Sequence, residues 1–518
     1  MMIAGIMIGY KMNEKRDYAL IDKLELEGQP PMIGRVEELL RFVENRYVDK
    51  INSEELLDEA LHSVFRKLDP HSVYIPPSEL EEINDQMNGE FYGIGIETFM
   101  INDTVIISGV LDNSPAMNAG LQVFDKILLV NDSIVAGKGL EFNDIRKMLR
   151  SQDATPVNIK IIRKKEEKTI SVTPAKIPVS TVTSALTLKD SIAYISLDRF
   201  SSNTYREFMQ ALESLFESGK AKHLIIDLRN NPGGYLPEAT NILCQIFEDK
   251  NRLLVYTEGR NNKRNEYKST GKRFFDVDKV AVLIDENSAS ASEIIAGAIQ
   301  DWDRGVIVGR RSFGKGLVQE QYDLNNGGAV RLTVARYYTP SGRCIQRDYA
   351  DHENYDEDIH SRYINGQMFD KDIQEIKDSS FYSSLVLNRR LYASGGIYPD
   401  IFVPLDSIFI TDDFINMDSY LPEFVFKSIN EGKIKILGQS EVNIQIPTVF
   451  YEELQKYAGT EKRYDAGFLA GKFENMIKYF AIKYQRNKNE ASRFFAEKDP
   501  FVRSALQFIQ SSRSLKEL

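Results

Sequence analysis

Apolar positions follow a different period in each successive part of the chain, and the changes of period mark its organisation. Met1 to Tyr10 is an apolar run that stops at Lys11, well short of the ~20 residues that cross a bilayer. It is the candidate remnant of a signal peptide or membrane anchor, although no basic segment precedes it. From Ile33 to about Met87 the spacing is helical, with Val36, Leu39, Leu40, Phe42 and Val43 recurring at helical intervals. A second helix carries Leu56, Leu57, Ala60, Leu61, Val64 and Phe65, with Asn52 as its N-cap and Glu55 three residues on. Leu68-Asp69-Pro70-His71-Ser72 ends it, and His71 reads as a turn residue.

Between Phe91 and about Pro178 the runs shorten to strand length. Val105 to Val110, Phe124 to Asn131 and Val157 to Ile162 are strands, with helices opening at Ser114-Pro115 and at Phe142. Beyond Val179, short Val/Ile/Leu strands alternate with helices. The strands are Ile192 to Leu197, His223 to Arg229, Val280 to Ile284 and Val306 to Val308. The helices span Thr204 to Glu217 and Glu238 to Phe247, and a third opens near Ser290. Unbroken apolar strands alternating with helices predict a parallel-rich sheet covered on both faces. Ala329 to Tyr338 continues it. Asp348 to about Ser380 is polar and acidic without the spacing of a calcium loop, and reads as a solvated insertion. After Thr411 the spacing is helical again. The fold class is therefore multidomain α/β (α+β). Its expected parts are a leader or anchor remnant at 1–32, a helical region at 33–90, a small module of strands and helices at 91–178, an α/β core at 179–410 and a helical extension at 411–518.

Composition narrows the function. The 518 residues, 42% of them hydrophobic, carry a net charge of −11 and no basic stripe interleaved with aromatics, which excludes nucleic acid as the partner. Two cysteines, Cys244 and Cys344, make no disulfide framework. His, Cys and carboxylates show no ligand spacing, so no metal and no cofactor is expected.

The candidate chemistry lies at Lys279 to Gln319. Ser288, Ser290 and Ser292 crowd a helix start, where unpaired N–H groups favour an oxyanion. None of the five histidines (His62, His71, His223, His352, His360) sits in a catalytic setting, and His223 reads as a structural residue. Lys315, flanked by Gly314 and Gly316 after an apolar strand, is the better base, because desolvation lowers a lysine pKa. Gln319 is placed to orient its amine. Gly309 to Lys315 also has phosphate-loop spacing, but Gly316 stands where that loop needs Ser or Thr. Asn230-Asn231-Pro232-Gly233-Gly234, leaving a strand, is an anion-binding arrangement. Asp227 and Arg229 read as a local structural pair.

Asn287 to Ile294, Gly297 to Asp301, Phe313 to Gly316 with Gln319, and the Thr339-Pro340-Ser341-Gly342-Arg343 run together resemble the carboxyl-terminal processing (tail-specific) proteases, Ser/Lys peptidases with a PDZ domain. The resemblance covers roughly Ile33 to Leu405. It implies a crotonase/ClpP-like α/β protease core. It makes Ser290 the nucleophile, Lys315 the general base and Gln319 the third member. Gly233 or Gly234 with Ala291 forms the oxyanion hole. Residues 91–178 become a PDZ domain whose Tyr92-Gly93-Ile94-Gly95-Ile96 turn receives a terminal carboxylate. The implied partners are polypeptides with free C-termini. The N-terminal helices are the candidate surface for a homo-oligomer, and the location is the periplasmic side of a bacterial envelope, with an N-terminal membrane anchor as a candidate feature. A non-catalytic PDZ scaffold or chaperone on the same fold is the alternative, and an acyl-CoA enzyme of crotonase type is a third reading.

Overall fold

The computed structural model describes residues 33–149, 155–189, 191–218, 221–351, 355, 357–370, 381–393, 395–437, 443–512 and 514–517. The apolar run at Met1 to Tyr10 lies outside them. The chain divides into two compact units, Met1–Pro77 with Gln321–Leu332, and Ser78–Glu320 with Thr333–Leu518.

In the first unit the helices Ile33–Arg46 and Ser53–Arg66 follow the expected spacing, and the Asn52 side chain accepts the Glu54 N–H at 3.2 Å. Leu39, Phe42 and Val64 stand exposed on them. The Asp69 carboxylate stops the second helix by accepting the His71 and Ser72 N–H groups, each at 2.8 Å. The strand Val73–Ile75 then pairs antiparallel with residues 329–331.

The second unit is built on a six-stranded sheet ordered Val182–Leu188, Ile192–Leu197, His223–Asp227, Val280–Ile284, Val306–Gly309, Ile401–Phe402. Its first pair is antiparallel and the others are parallel. Alternation along each strand sends residues to opposite faces, and both faces are dry, which is why these strands read as unbroken apolar runs. Ile195, Ile226, Val282 and Ile307 meet the helices Thr204–Glu213, Leu236–Ile246 and Ala291–Asp301. Tyr194, Ile225, Leu283 and Val308 meet Phe501, Val502, Ala505 and Ile509 of the helix Pro500–Gln510. The last long helix of the C-terminal extension is thus a layer of the core itself.

Residues 96–172 form an antiparallel sheet, Ile96–Met100, Val105–Val110, Lys126–Val130, Val157–Arg163 and Glu166–Val172, with the helices Pro115–Ala119 and Phe142–Leu149. The remaining C-terminal helices, Asp412–Asn430, Thr448–Ala458, Ala466–Gln485 and Lys488–Ala496, close their own core around Phe414, Leu421, Phe473 and Ile477. Phe426 leaves that core and stacks on Phe124 at 4.7 Å between centroids and 11° between planes. Phe99 and Tyr484 complete the cluster. Phe124 holds a positive φ of 74°, a strained state for a bulky residue.

Truncating the fully buried Phe426 to alanine is expected to cost ~3–5 kcal/mol and to loosen both partners of the stack. Urea unfolding and amide exchange over residues 96–130 measure it. An unchanged midpoint with unchanged exchange would show that the aromatic cluster does not hold the 91–178 module.

Candidate active site

The strand Val280–Ile284 ends in a turn that sorts the three serines. Ser288 and Ser292 are fully buried, and their hydroxyls donate to Leu228 O at 2.8 Å and Asn231 O at 3.0 Å. Both hydroxyls are committed to holding the 228–231 loop. Ser290 alone is half-buried, at the N-cap of the helix Ala291–Asp301, with φ 55° and ψ −114°. That backbone state is strained for an L-residue and persists only where the surroundings over-determine it.

The surroundings do so through Glu293. Its carboxylate accepts the Ser290 N–H at 2.8 Å, and its own N–H donates to the Ser290 carbonyl at 2.8 Å. The same carboxylate accepts the Lys315 N–H at 2.8 Å, the Gly314 N–H at 2.7 Å and the Ser312 hydroxyl at 2.6 Å. Two residues 25 apart in sequence thereby share one anchor. Burial pushes the Glu293 carboxyl up to about 7, against the four donors that pull it down.

Lys315 sits on irregular backbone, yet every peptide group from 312 to 316 is paired. The N–H groups of Ser312 and Phe313 donate to Ile397 O and Ser288 O at 3.0 and 2.9 Å, and that of Gly316 to Gln346 Oε1 at 2.7 Å. The Ser312, Phe313 and Gly314 carbonyls accept from Arg362 Nη1, Arg362 Nη2 and Arg347 N at 2.7, 3.2 and 3.0 Å. The Lys315 and Gly316 carbonyls accept from Tyr337, through its hydroxyl and its N–H. Gly314, at φ 90°, passes so close to Gly395 that a Cβ would lie 2.9 Å from its carbonyl carbon. The Lys315 ammonium reaches Gln319 Oε1 at 3.0 Å, on the strand Leu317–Asp323. A strand follows Lys315, where a phosphate loop would be followed by a helix.

Of the two glycines left open by the sequence, Gly233 is the one against the serine. A Cβ on it would lie 2.7 Å from Ser290 Cβ and 2.9 Å from Ala291 N, at a φ of 98°. Its N–H donates to Asn231 Oδ1 at 2.9 Å. Gly234 faces Phe200 instead, in a parallel bridge. The loop is held from behind. Arg229 bonds Asp227, as the sequence suggests, and also Asp499 at 2.7 Å, the N-cap of the helix Pro500–Gln510.

Two elements escaped the sequence reading. The acidic stretch expected as a solvated insertion contributes the helix Asp358–Ile364 and buried Tyr355, Arg362 and Met368. Arg362, Arg347 and Arg311 converge on Asp358, and burial lowers the Arg362 pKa to about 10. Charge made the stretch look solvated, and nothing local signals that its arginines have backbone carbonyls to reach. The other element is Asp499, 270 residues from Arg229. His223 behaves as a structural residue, its Nδ1 accepting the Lys279 N–H at 3.4 Å.

Gly93, Ile94, Gly95 and Ile96 line a groove of about 130 Å³ with Phe91, Ile145 and Arg146. Tyr92 lines the adjoining cleft of about 1050 Å³, together with Asp85, Arg146 and Arg199.

A model of peptidase family S41 matches residues 191–355, and one of the PDZ domain matches residues 93–173. The carboxy-terminal processing protease CtpB of Bacillus subtilis (strain 168) is 34% identical over 322 residues, which cover 61% of this chain and 66% of that protein. The carboxy-terminal-processing protease of Bartonella bacilliformis is 33% identical over 320 residues, covering 61% of this chain and 72% of that protein. The solved structure of a photosystem II D1 C-terminal processing protease aligns at 28% identity over 59% of this chain and 87% of that one, with a TM-score of 0.32. The chain spans 63–66% of the length of the first curated relatives it matches.

Because the folded Glu293 value lies above the unfolded 4.5, its contribution to stability is full below pH 4.5 and is lost as the pH rises through about 7. Glu293→Gln removes that slope. The stability of the variant relative to the parent is expected to rise by on the order of 3 kcal/mol between pH 4.5 and 8. Parallel pH profiles of thermal melting for the two proteins would refute the assignment.

Proposed function

The chain belongs to the carboxy-terminal processing proteases of peptidase family S41, and from that premise we propose that it is a serine endopeptidase cutting polypeptides near their C-termini. The observation that carries the reading is the shared anchor, one buried carboxylate bonded to the backbones of both Ser290 and Lys315. In the proposed reaction the Lys315 amine takes the Ser290 proton as the hydroxyl attacks the scissile carbonyl, while Gln319 orients the amine. The tetrahedral oxyanion is received by the Ala291 N–H, at the positive end of its helix, and by a glycine of the 233–234 pair, typically worth ~3–4 kcal/mol per donor. Gly233 is nearer the serine, and its N–H would exchange Asn231 for the oxyanion. Lys315 then protonates the leaving amine, and water hydrolyses the acyl ester.

The 93–173 module gives the tail specificity in this proposal. An extended C-terminus adds beside the Ile94–Ile96 segment, its carboxylate at the Gly93–Gly95 turn and its last side chain in the groove. The exposed Leu39, Phe42 and Val64 face supports an oligomer through the N-terminal helices. A periplasmic, membrane-anchored site of action belongs to the same reading and rests on the family resemblance. No helix among the described residues is long and apolar enough to cross a membrane.

The test pairs the parent with Ser290→Ala and Lys315→Ala on an unfolded substrate with an apolar C-terminus, free or amidated, with cuts mapped by mass spectrometry. Expected are cuts near the free tail, a reduction of at least tenfold on amidation, and no cutting by either variant. Binding without cleavage by the parent would favour a scaffold, and turnover of an acyl-CoA thioester a crotonase-type enzyme.

A further inference from the structure

Tyr337 carries a hydroxyl that the core does not require. The side chain is 1% exposed, among the packed residues beneath the sheet. A desolvated hydroxyl costs free energy unless it is bonded, and phenylalanine would fill the same space. Its two acceptors among the described residues are the Ser290 carbonyl, at 3.1 Å, and the Lys315 carbonyl. One phenolic proton is shared between the two residues of the proposed dyad. The Tyr337 N–H meanwhile donates to Gly316 O at 2.9 Å. The residue thus grips the Lys315-Gly316 peptide from both its backbone and its side chain.

Its own position is fixed. Tyr337 is the next-to-last residue of the strand Ala329–Tyr338, where it pairs antiparallel with Thr257. Burial raises its pKa well above the usual phenol value, so the group remains a donor throughout the working range. Glu293 and Tyr337 are complementary. The carboxylate takes the N–H groups of Ser290 and Lys315, and the phenol reaches their carbonyls. A strained Ser290 and a lysine on irregular backbone are thereby held from both sides of their peptide groups.

We propose that Tyr337 is a positioning residue for the peptidase reaction, its hydroxyl setting the placement of Ser290 relative to Lys315 by bridging their carbonyls. The proposal rests on the Ser290/Lys315 reading and extends it to a residue that touches no substrate.

Tyr337→Phe deletes one oxygen. A fall in kcat of about 10- to 100-fold is expected, with KM within twofold, because the groove that binds the tail is untouched. The rate at which a fluorophosphonate labels Ser290 should fall in parallel. A second protein carrying p-aminophenylalanine at position 337 restores a donor and should recover most of kcat. That variant also decides the case if Tyr337→Phe melts well below the parent. Unchanged kcat in Tyr337→Phe, with Ser290→Ala inert, overturns the positioning role and leaves the dyad standing. Failure of the amino analogue to recover the rate in a folded protein overturns it as well. Cleavage by Ser290→Ala or Lys315→Ala removes the dyad, and the proposal with it.

Discussion

The site depends on a carboxylate kept where carboxylates are expensive. Glu293 has no exposed surface, and an ionised carboxylate without water is stable only when its lone pairs are filled by donors. Four donors fill them: two backbone N–H groups and a hydroxyl from residues 312–315, and the N–H of Ser290. Because the donors come from two separate segments, satisfying the carboxylate and joining the segments are the same event. Ser290 is outside the helical region and cannot offer its N–H to the helix, and residues 312–316 lie on no regular ladder. The anchor therefore sets the backbone positions of Ser290 and Lys315 together.

Support for this anchor comes from parts of the chain far from it. The 228–234 loop is pinned by the hydroxyls of Ser288 and Ser292 in front and by Asp227, Arg229 and Asp499 behind. Asp499 caps the helix that covers the outer face of the sheet, so the C-terminal extension reaches the 228–234 loop through the Arg229–Asp499 ion pair and through Phe501, whose ring centroid lies 4.6 Å from the Arg229 guanidinium. Arg362 plays the corresponding part for the lysine segment. Burying its guanidinium is offset by carbonyls 312 and 313 and by Asp358. Both supports place charged groups in the interior, where breaking one partner of a pair is far more costly than at the surface.

The strands and helices of the core were legible because covered strands and amphipathic helices leave plain periods. That the Asn287–Ile294 and Phe313–Gln319 segments belong together was legible, and the structure joins them at Glu293. The choice among Ser288, Ser290 and Ser292 was not available from composition, since it turns on which hydroxyls meet a carbonyl across the fold. The Gly233 or Gly234 question turns likewise on the close approach of a distant helix start. Arg362 and Asp499 were hidden for a related reason: a charged residue in a polar stretch looks solvated until its partner, tens or hundreds of residues away, is seen. Period reports which face a residue takes, and it is silent on long-range polar pairing.

The same long-range pairing fastens the 91–178 module to the core. The groove at Gly93–Ile96 is a few residues from Gly89, whose carbonyl accepts the Val179 N–H at 2.8 Å. Ser202 donates to the neighbouring Asn88 O at 2.9 Å, and Phe200, two residues back, donates its N–H to Gly233 O at 2.9 Å. Residues 88–89, the 200–202 segment and the 233–234 pair are thus joined by short hydrogen-bonded links, and Tyr92, Arg146 and Arg199 line a cleft beside residues 89–92. On its other side the 91–178 module is held by Phe124 and Phe99 against Phe426 and Tyr484. The 91–178 module is thus fastened on two sides, through Gly89 and Asn88 to the chain beside the 228–234 loop and through the aromatic cluster to the C-terminal helices, so its place is set by pairings that no local period announces.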